Sequence, residues 1–528
     1  MSVASEIISS GRASLGIELG STRIKACLVG ESPSDVLAVG SYEWENQFVD
    51  GLWTYDLADV WTGLAAAMSD LRDQVSSEHG TELTSLKSLG ISAMMHGYLA
   101  FDKDDNLLVP FRTWRNTNTG RAAEELTSLF GVNIPLRWSI AHLHQVVLEG
   151  AEHVPHVSFV TTLAGYVHWK LTGEKVLGIG DASGMFPIDT ATNDYDATMV
   201  AAYDALDSTS VLASSVTDLL PRVLVAGEQA GVLTAEGAAL LDPTGRLTAG
   251  ALVCPPEGDA GTGMVATNAV APRTGNISAG TSIFAMVVLE RPLKEVHHEL
   301  DVVTTPTGDT VAMVHCNNGA SELAAWVGMF RRFAELAGSS LTSDEVYDLL
   351  FQEASTGEPD AGGLVAYNYL AGEPITGTVE GRPLFVRTPD SDLSLGNAIR
   401  AQLYGVFGTL SLGMRVLEHE GVELERMSAH GGMFRTAGVA GRFLAAAINA
   451  PVSIAQSASE GGAWGIAVLA AFAASDHSDL ASYLDEIVFK GAVVDTALPE
   501  PEDVAGFAQF LDRYRSGLPI EQVAATSL

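Results

Sequence analysis

The chain has 528 residues, enough for roughly two to four domains. Because 47% of the residues are hydrophobic and only 18% are charged, the chain can build large hydrophobic cores. Its formal charge of −36, from 29 basic and 65 acidic residues, argues against nucleic acid and anionic membranes as partners. We interpret most of this acidity as a solvated surface.

The sequence predicts a cytoplasmic protein with no membrane segment. No run of about eighteen apolar residues occurs, and the first dozen residues lack the basic start and apolar core of a signal peptide. Cys27, Cys254 and Cys316 lie in or beside apolar runs without CxxC spacing. Buried, reduced thiols are therefore expected rather than a disulfide framework or a zinc site.

Two stretches share one plan of strand, glycine–hydroxyl turn and strand. Residues 14–30 carry the turn at 20–22, and residues 274–289 carry it at 280–282. Small residues let a backbone approach a ligand, and the N–H groups of a tight turn are a natural seat for phosphate. The repeat predicts two related halves that clamp a nucleotide's phosphates. An ordinary pair of hairpins is the alternative.

Two acids accompany these turns. Asp259 lies in a Gly-rich loop about twenty residues before the second turn, and one acid beside one phosphate turn predicts phosphoryl transfer to a hydroxyl. Glu18 lies two residues before the first turn, where a carboxylate is placed to hold Mg²⁺ directly or through water. The alternative for Glu18 is a strand-edge acid facing solvent.

A sugar site is predicted in the part of the sequence that lies between the two turns. After a helix over 56–75, the stretch 88–101 predicts a buried strand with His96 in its middle. The loop at 110–119 then combines an aromatic side chain with guanidinium and amide groups, which suits a sugar's C–H face and hydroxyls. It contains Arg112, Trp114, Arg115 and Asn116. A core histidine and a polar loop with one anchoring tryptophan are the alternatives.

The remaining elements frame the first half of the chain. Helices are predicted over 138–151 and 160–172, and the Gly-rich stretch 176–189 is either a loop that leads to a strand or a ligand contact through Asp181. We expect the first domain to close near residue 270.

In the second half, a helix over 396–419 has an apolar stripe typical of a core. Residues 426–450 predict a strand, a Gly-Gly turn and a helix, a junction that allows flat contact with a nucleotide. Residues 459–472 repeat this pattern, and a polar, acidic segment with aromatic packing residues follows from 476.

Taken in order, these motifs resemble those of the FGGY carbohydrate kinases over about residues 14–475. The similar segments are GIELGSTRIKA, SAMMHGYLAFD, GDASG, PPEGDAGTG, NISAGTS, AYNYLAGEPITG, SAHGGMFRT and SEGGAWG. The Met-His-Gly of the second segment looks like that of xylulokinases. The resemblance implies an α/β, two-domain actin-like ATPase fold, also called ribonuclease H-like, with a cleft between the domains.

The resemblance also implies the division of the chain and its ligands. The expected domains are 1–270 for the sugar, the first phosphate hairpin and the catalytic acid, and 271–475 for the second hairpin and adenosine. Residues 476–528 form an acidic C-terminal extension. ATP and Mg²⁺ are the expected cofactors and a small-molecule sugar the partner, with a homodimer expected by analogy.

Carried over residue by residue, the resemblance makes Asp259 the general base and Glu18 the metal ligand. It assigns the sugar to Met95, His96, Trp114, Arg115, Asn116 and Asp259. It assigns the nucleotide to Gly20, Ser21, Thr22, Lys25, Gly280, Thr281, Gly431, Gly432 and Met433.

The sequence departs from the family pattern at four places, one of which is the first FGGY signature, poorly kept around residues 138–150. Glu18 stands where the family usually has Asp, Ala260 where xylulokinases typically have Asn, and residues 114–119 differ from the usual xylulokinase segment. From the resemblance as a whole, the first hypothesis is a kinase for a pentulose such as D-xylulose. L-ribulose, a sugar acid or a polyol are alternative substrates. A non-catalytic sugar or nucleotide sensor is the alternative of another class.

Overall fold

A computed structural model of the chain describes residues 2–435, 438–455, 461–492 and 494–528. The chain divides into two compact units, neither of which is continuous in sequence. The first unit comprises Met1–Val270, Val302–Val311 and Ala458–Ala492, and the second Ala271–Asp301, Ala312–Ser457 and Val493–Leu528. The domain limits expected from the sequence remain predictions.

Helices and strands both occur throughout the described chain. The strands are β1 (Ser14–Leu19), β2 (Arg23–Val29), β3 (Val36–Glu43), β4 (Gln47–Val49), β5 (Leu52–Thr54), β6 (Ser88–Ala93), β7 (Leu99–Phe101), β8 (Phe159–Thr161), β9 (Val176–Gly178), β10 (Ile188–Asp189), β11 (Asp194–Tyr195), β12 (Arg222–Leu224), β13 (Leu252–Val253), β14 (Glu257–Gly258), β15 (Thr274–Ala279), β16 (Ile283–Val288), β17 (Leu300–Thr304), β18 (Thr310–Cys316), β19 (Val365–Tyr367), β20 (Leu384–Val386), β21 (Arg426–His430), β22 (Val452–Ala455) and β23 (Val494–Ala497). The helices are α1 (Val3–Ser9), α2 (Leu57–His79), α3 (Gly120–Phe130), α4 (Ser139–Leu148), α5 (Leu163–Thr172), α6 (Ile179–Ala182), α7 (Ala197–Asp204), α8 (Val216–Leu219), α9 (Ala235–Leu241), α10 (Asp259–Ala266), α11 (Ser321–Leu336), α12 (Ser343–Ala354), α13 (Leu395–His419), α14 (Val439–Ile448), α15 (Gly461–Ala473), α16 (Leu480–Tyr483) and α17 (Pro501–Ser527). In the described part of the chain, no helix has the length and apolarity to cross a membrane.

The two units repeat one sheet topology, which confirms the predicted pair of related halves. In the first unit the strand order is β13-β6-β1-β2-β3, with β1 antiparallel to β2 and parallel to β6. In the second, the order β17-β18-β16-β15-β21-β22-β23 places β15 antiparallel to β16 and parallel to β21. Each half thus pairs its glycine–hydroxyl hairpin with the next parallel strand.

Helix α15 completes the core of the first unit, although it comes from the far end of the sequence. It packs on β1, β6 and α10 at backbone distance, because the facing positions are glycines. A Cβ at Gly16 would lie 2.2 Å from the carbonyl oxygen of Ala463, and one at Gly465 would lie 2.1 Å from that of Thr262. A side chain at Gly16 would push α15 off the sheet, and one at Gly465 would push it away from α10.

The predicted strand over 88–101 is wrong in its middle. Strand β6 ends at Ala93 and β7 begins at Leu99, and between them His96 and Gly97 have φ of 72° and 98°. Left-handed backbone cannot continue a strand. A Cβ at Gly97 would lie 2.7 Å from the carbonyl oxygen of Arg112, so the chain turns here at a glycine.

Two other stretches also differ from their predicted form. The predicted helix over 160–172 begins only at Leu163, after strand β8, because Thr162 caps it through a hydrogen bond from the N–H of Gly165. The Gly-rich stretch 176–189 contains the short helix α6 between β9 and β10.

The described residues after 476 are divided between the two units, and their aromatic side chains pack as predicted. In the second unit, α17 buries Phe507, Phe510 and Tyr514 against the core around α13. The hydroxyl of Tyr514 lies 3.0 Å from those of Tyr369 and Thr409. The last helix is therefore part of the second unit's core.

A buried carboxylate closes the end of α13. The Glu420 carboxylate accepts hydrogen bonds from the N–H groups of Lys294 and Glu295 at 2.9 and 3.2 Å, and His297 Nε2 lies 2.6 Å away. His297 and these N–H groups stabilise the charged form and lower the pKa of Glu420 to about 2.

Glu420→Gln is expected to lower the melting temperature at pH 7 and to lose this effect in acid. A carboxylate whose pKa falls on folding stabilises the folded state above its ordinary pKa of 4.5, and that stability disappears as pH falls towards 2. Melting temperatures at pH 7, 4 and 3 test this, with exposed Glu418→Gln as the matched control. A difference from wild type that stays constant over this range would contradict the assignment.

Candidate active site

The first hairpin turn is held from one side by two aromatic residues. Trp44 Nε1 donates to the carbonyl of Gly20 at 2.7 Å, the Trp44 N–H donates to that of Thr22 at 3.1 Å, and the Tyr55 hydroxyl donates to that of Ser21 at 2.6 Å. The two rings stack with centroids 4.3 Å apart. With its carbonyls engaged, the turn has a fixed shape suited to presenting N–H and hydroxyl groups to an anion.

Glu18 and Lys25 lie opposite each other on β1 and β2 of this hairpin. Burial and the neighbouring Asp259 raise the pKa of Glu18 to about 7, while Lys25 and the backbone N–H of Ala463 act in the opposite direction. A Cβ at Gly462 would lie 2.4 Å from Glu18 Oε1. Gly462 thus makes room for this carboxylate, a contact that the sequence did not indicate.

Asp259 begins α10 and points to the backbone of the predicted sugar loop. Its Oδ1 accepts a hydrogen bond from the N–H of Met95 at 3.1 Å. The side chain reaches solvent, yet the protein packed around it removes part of its hydration and raises its pKa above the ordinary value. A carboxylate in this setting is a suitable general base.

The Met95–His96 loop lies beside Asp259 and is itself tightly packed. The His96 ring is buried and stacks on Trp138 at 6.4 Å, and its Nδ1 lies 3.3 Å from the carbonyl oxygen of Gly184. A Cβ at Gly184 would lie 2.5 Å from that nitrogen. The structure therefore brings together Met95, His96 and Asp259.

The Trp114–Asn116 segment is partly structural. The buried Asn116 amide binds the N–H and carbonyl groups of Trp53 at 2.9 and 2.8 Å, so its contacts support the loop, and a bond to sugar remains a prediction. Arg115 is exposed, stacks on the Trp53 ring at 3.8 Å and donates to Asn46 at 3.1 Å. Trp114 packs against the core of the first unit.

The carbonyl groups of the second hairpin turn are also hydrogen-bonded, but here the donors are backbone N–H groups instead of aromatic residues. The N–H groups of Gly319 and Ala320 donate to the carbonyls of Thr281 and Gly280, each at 2.8 Å, and the Gly280 N–H donates to Ser282 at 2.9 Å. A Cβ at Gly319 would lie 2.4 Å from the carbonyl oxygen of Gly280. Glycine is therefore required where the next segment crosses the turn.

A cavity of about 550 Å³ lies beside this second turn. It is lined by Ala279, Gly280, Thr281, Ala320, Ser321, Leu323, Ala324, Asp344, Tyr347, Asp348, Gly432 and Met433. It thus brings together four of the residues that the sequence assigned to a nucleotide. The sequence did not indicate the α12 residues Asp344, Tyr347 and Asp348 as part of this site, because they lie on a helix far along the chain with no local pattern that signals a ligand.

The glycines at the cavity suit a flat ligand. Gly431 has φ of 125°, and a Cβ there would lie 2.1 Å from the carbonyl oxygen of Ala279. A Cβ at Gly432 would meet no atom within 4 Å and would instead occupy open space. Thr436, Ser459 and Glu460, which belong to the two predicted adenosine turns, lie outside the described residues.

Comparison with known proteins identifies both halves. Residues 13–245 match the N-terminal domain of the FGGY family of carbohydrate kinases, and residues 275–474 match its C-terminal domain. The xylulose kinase of Escherichia coli (strain K12) is 28% identical over 239 residues, which are 42% of this chain and 47% of that protein. The chain thus matches about half the length of this relative.

Solved structures resemble the chain over almost its whole length. A xyloylose kinase from Brucella ovis has a TM-score of 0.78 at 22% identity, covering 97% of this chain and 100% of that chain. A gluconate kinase from Lactobacillus acidophilus has a TM-score of 0.76 at 17% identity, covering 97% and 98%. These similarities confirm the predicted actin-like ATPase fold, and with the two matching domain models they show that the chain belongs to the FGGY family of carbohydrate kinases.

Proposed function

We propose that the chain is an ATP-dependent kinase that phosphorylates a hydroxyl of a ketose, with a pentulose such as D-xylulose as the preferred substrate. The observation that carries the proposal is Asp259, a carboxylate of raised pKa bonded to the backbone of the Met95–His96 loop. The xylulose kinase from Escherichia coli supports the pentulose.

In the proposed reaction, Asp259 accepts the proton of the sugar hydroxyl as that oxygen attacks the γ-phosphorus of ATP. The bond from the γ-phosphorus to the oxygen that bridges to the β-phosphate breaks, and ADP leaves. General base assistance contributes about 10²–10⁴-fold, and positioning and charge neutralisation supply most of the remainder. His96 and the backbone at Met95 would orient the sugar beside this base. The fixed turn at 20–22, with Lys25, would hold phosphate oxygens through N–H, hydroxyl and ammonium groups.

The cavity of the second unit would hold the nucleotide. Its volume suits a ligand of nucleotide size, and the open space beside Gly432 admits a flat ring without a Cβ in the way. Gly280 and Thr281 would contact phosphates, and Gly431, Gly432 and Met433 would lie against adenosine.

The residues present also fit a magnesium ion. Glu18 offers carboxylate oxygens and lies close enough to Asp259 for their charges to interact. Mg²⁺ prefers oxygen ligands and keeps several waters, so one or two carboxylates and phosphate oxygens suffice. When bound, the metal supplies charge neutralisation on the phosphates.

A coupled ADP-release assay tests the function. Mg-ATP would be offered with pentuloses, hexuloses, polyols and sugar acids, with no-sugar and EDTA controls. One strongly preferred ketose, with turnover abolished by EDTA, is the expected result. Absence of sugar-stimulated ADP release from every compound would overturn the kinase assignment and favour a sensor.

A sugar acid is the second candidate substrate. The exposed guanidinium of Arg115, fixed on the Trp53 ring, is available to pair with a carboxylate. The gluconate kinase with the same fold is consistent with this candidate. Preference for an aldonate over every ketose in the same assay would select it. A cytoplasmic location and a homodimer also remain predictions.

A further inference from the structure

A buried carboxylate organises the segment 178–184, to which the proposed mechanism gives no role. Glu257, two residues before Asp259, accepts hydrogen bonds from the N–H groups of Asp181 and Gly180 at 2.9 and 3.3 Å. Cβ atoms at Gly178 and Gly180 would lie 2.3 and 2.5 Å from its carboxylate oxygens. The glycines of this segment therefore allow it to wrap around Glu257.

Asp181, inside this segment, is fully buried and faces both loops of the proposed active site. Its Oδ2 accepts a hydrogen bond from the Thr162 hydroxyl at 2.7 Å. The nearby backbone N–H of His96, the residue held in left-handed backbone, stabilises the charged form of this carboxylate, although Oδ1 accepts no well-aligned hydrogen bond from the described residues. Oδ1 lies against Gly258, where a Cβ would be 3.2 Å away.

The far end of the segment holds the histidine ring. The carbonyl oxygen of Gly184 lies 3.3 Å from His96 Nδ1. The 178–184 segment therefore contacts the backbone before Asp259, the His96 main chain and the His96 side chain. This one segment thus contacts both the backbone that leads into the proposed base and the proposed sugar loop.

Asp181 lies among other buried titratable groups. Burial is the largest cause that raises the pKa of Asp181, the negative charge of Asp259 adds to it, and the pKa reaches about 7. Burial and Asp181 together raise the pKa of Glu257 to about 8. Tyr195 also faces Asp181, and Cys254 faces Glu257; burial and these carboxylates raise the pKa of both. Donors from Thr162 and His96 compensate part of this cost.

We propose that Asp181 is a positioning residue for phosphoryl transfer. Buried between the Thr162 hydroxyl and Gly258, it clamps the 178–184 segment, and with it the His96 loop, to the start of α10 and so presents the sugar hydroxyl to Asp259. The inference rests on the proposed function for its kinetic consequence, but not for its structural one. Asp181 itself lies behind both loops and need not touch either substrate.

Asp181→Ala is expected to raise the KM for the sugar and to lower kcat. Together these changes should reduce kcat/KM by about 10- to 100-fold, because a small displacement of aligned reacting groups has an effect of this size. The KM for ATP should stay unchanged. Asp181→Asn keeps a carbonyl acceptor and resembles the protonated acid, so it should stay within about threefold of wild type, because the buried donors remain partnered.

Hydrogen–deuterium exchange supplies a readout that needs no activity. In Asp181→Ala, amides at 94–98 should exchange faster, while those of the hairpin at 14–30 keep wild-type rates. Asp218→Ala, an exposed acid on α8, is the matched control and should alter neither exchange nor kinetics. Asp181→Ser replaces the alanine variant if the latter does not fold.

The outcomes separate the two proposals. Wild-type rates at 94–98 in the alanine or serine variant, or equal losses in the asparagine and alanine variants, would overturn the clamp. A wild type without sugar-stimulated ADP release would overturn the kinase, and the exchange measurement would still decide whether Asp181 holds the loop.

Discussion

Asp259→Asn is expected to lower kcat by at least about 100-fold, because the amide cannot accept a proton from the sugar hydroxyl. Asparagine retains an oxygen that can accept the N–H of Met95, so the loop and the binding of ATP should change little. Single-turnover ADP release and equilibrium binding of ATP measure the two quantities separately.

The pH profile distinguishes a base from a structural acid. Because the pKa of Asp259 lies above its ordinary value, wild-type kcat/KM should fall as the pH drops through that pKa and the base becomes protonated. The variant should lack this acidic limb. Asp104→Asn, an exposed acid of the same unit, is the control. Near-normal turnover in Asp259→Asn would refute the assignment.

Asp503→Asn is expected to destabilise the second unit by about 3–5 kcal/mol, since removing one partner of a buried ion pair leaves the other charge uncompensated. Asp503 Oδ1 accepts from Arg400 Nη2 at 2.5 Å, and Oδ2 accepts from Arg442 Nε at 2.5 Å. These contacts join α13, α14 and α17. The Arg400 side chain is only 1% exposed and would have no access to solvent.

Denaturant unfolding of the variants measures this loss. Glu502→Gln, the exposed neighbour on α17, should leave the midpoint unchanged. The double variant Arg400→Met/Asp503→Leu should recover part of the stability, because apolar side chains remove both buried charges. If Asp503→Asn lowered the free energy of unfolding by less than about 1 kcal/mol, which is the range of surface ion pairs, the network would contribute little to stability.

Local patterns were sufficient to predict the parts of the fold that depend on neighbouring residues. The two hairpins alternate apolar residues on both sides of a glycine turn, and their register follows directly from that alternation. The helix at 395–419 was predicted within one residue at its start, because its apolar stripe is long and regular.

Long-range packing was beyond the reach of the sequence. Met94 and Met95 continue the apolar run of β6, so the run alone concealed the turn at His96. Nothing local indicates that Trp44 and Tyr55 hold the first turn, or that Gly462 faces Glu18. Asn116 looked suited to sugar by residue type, whereas its amide binds a backbone from a distant strand.

The placement of α15 in the first unit has a consequence for how the protein is made. Strands β1 and β6 leave the ribosome early, but the helix that covers them at Gly16 and Gly90 is synthesised only near the end of the chain. Until then their apolar face has no native cover, a state that invites aggregation and chaperone binding. Folding of the first unit must therefore wait until translation has passed through most of the second.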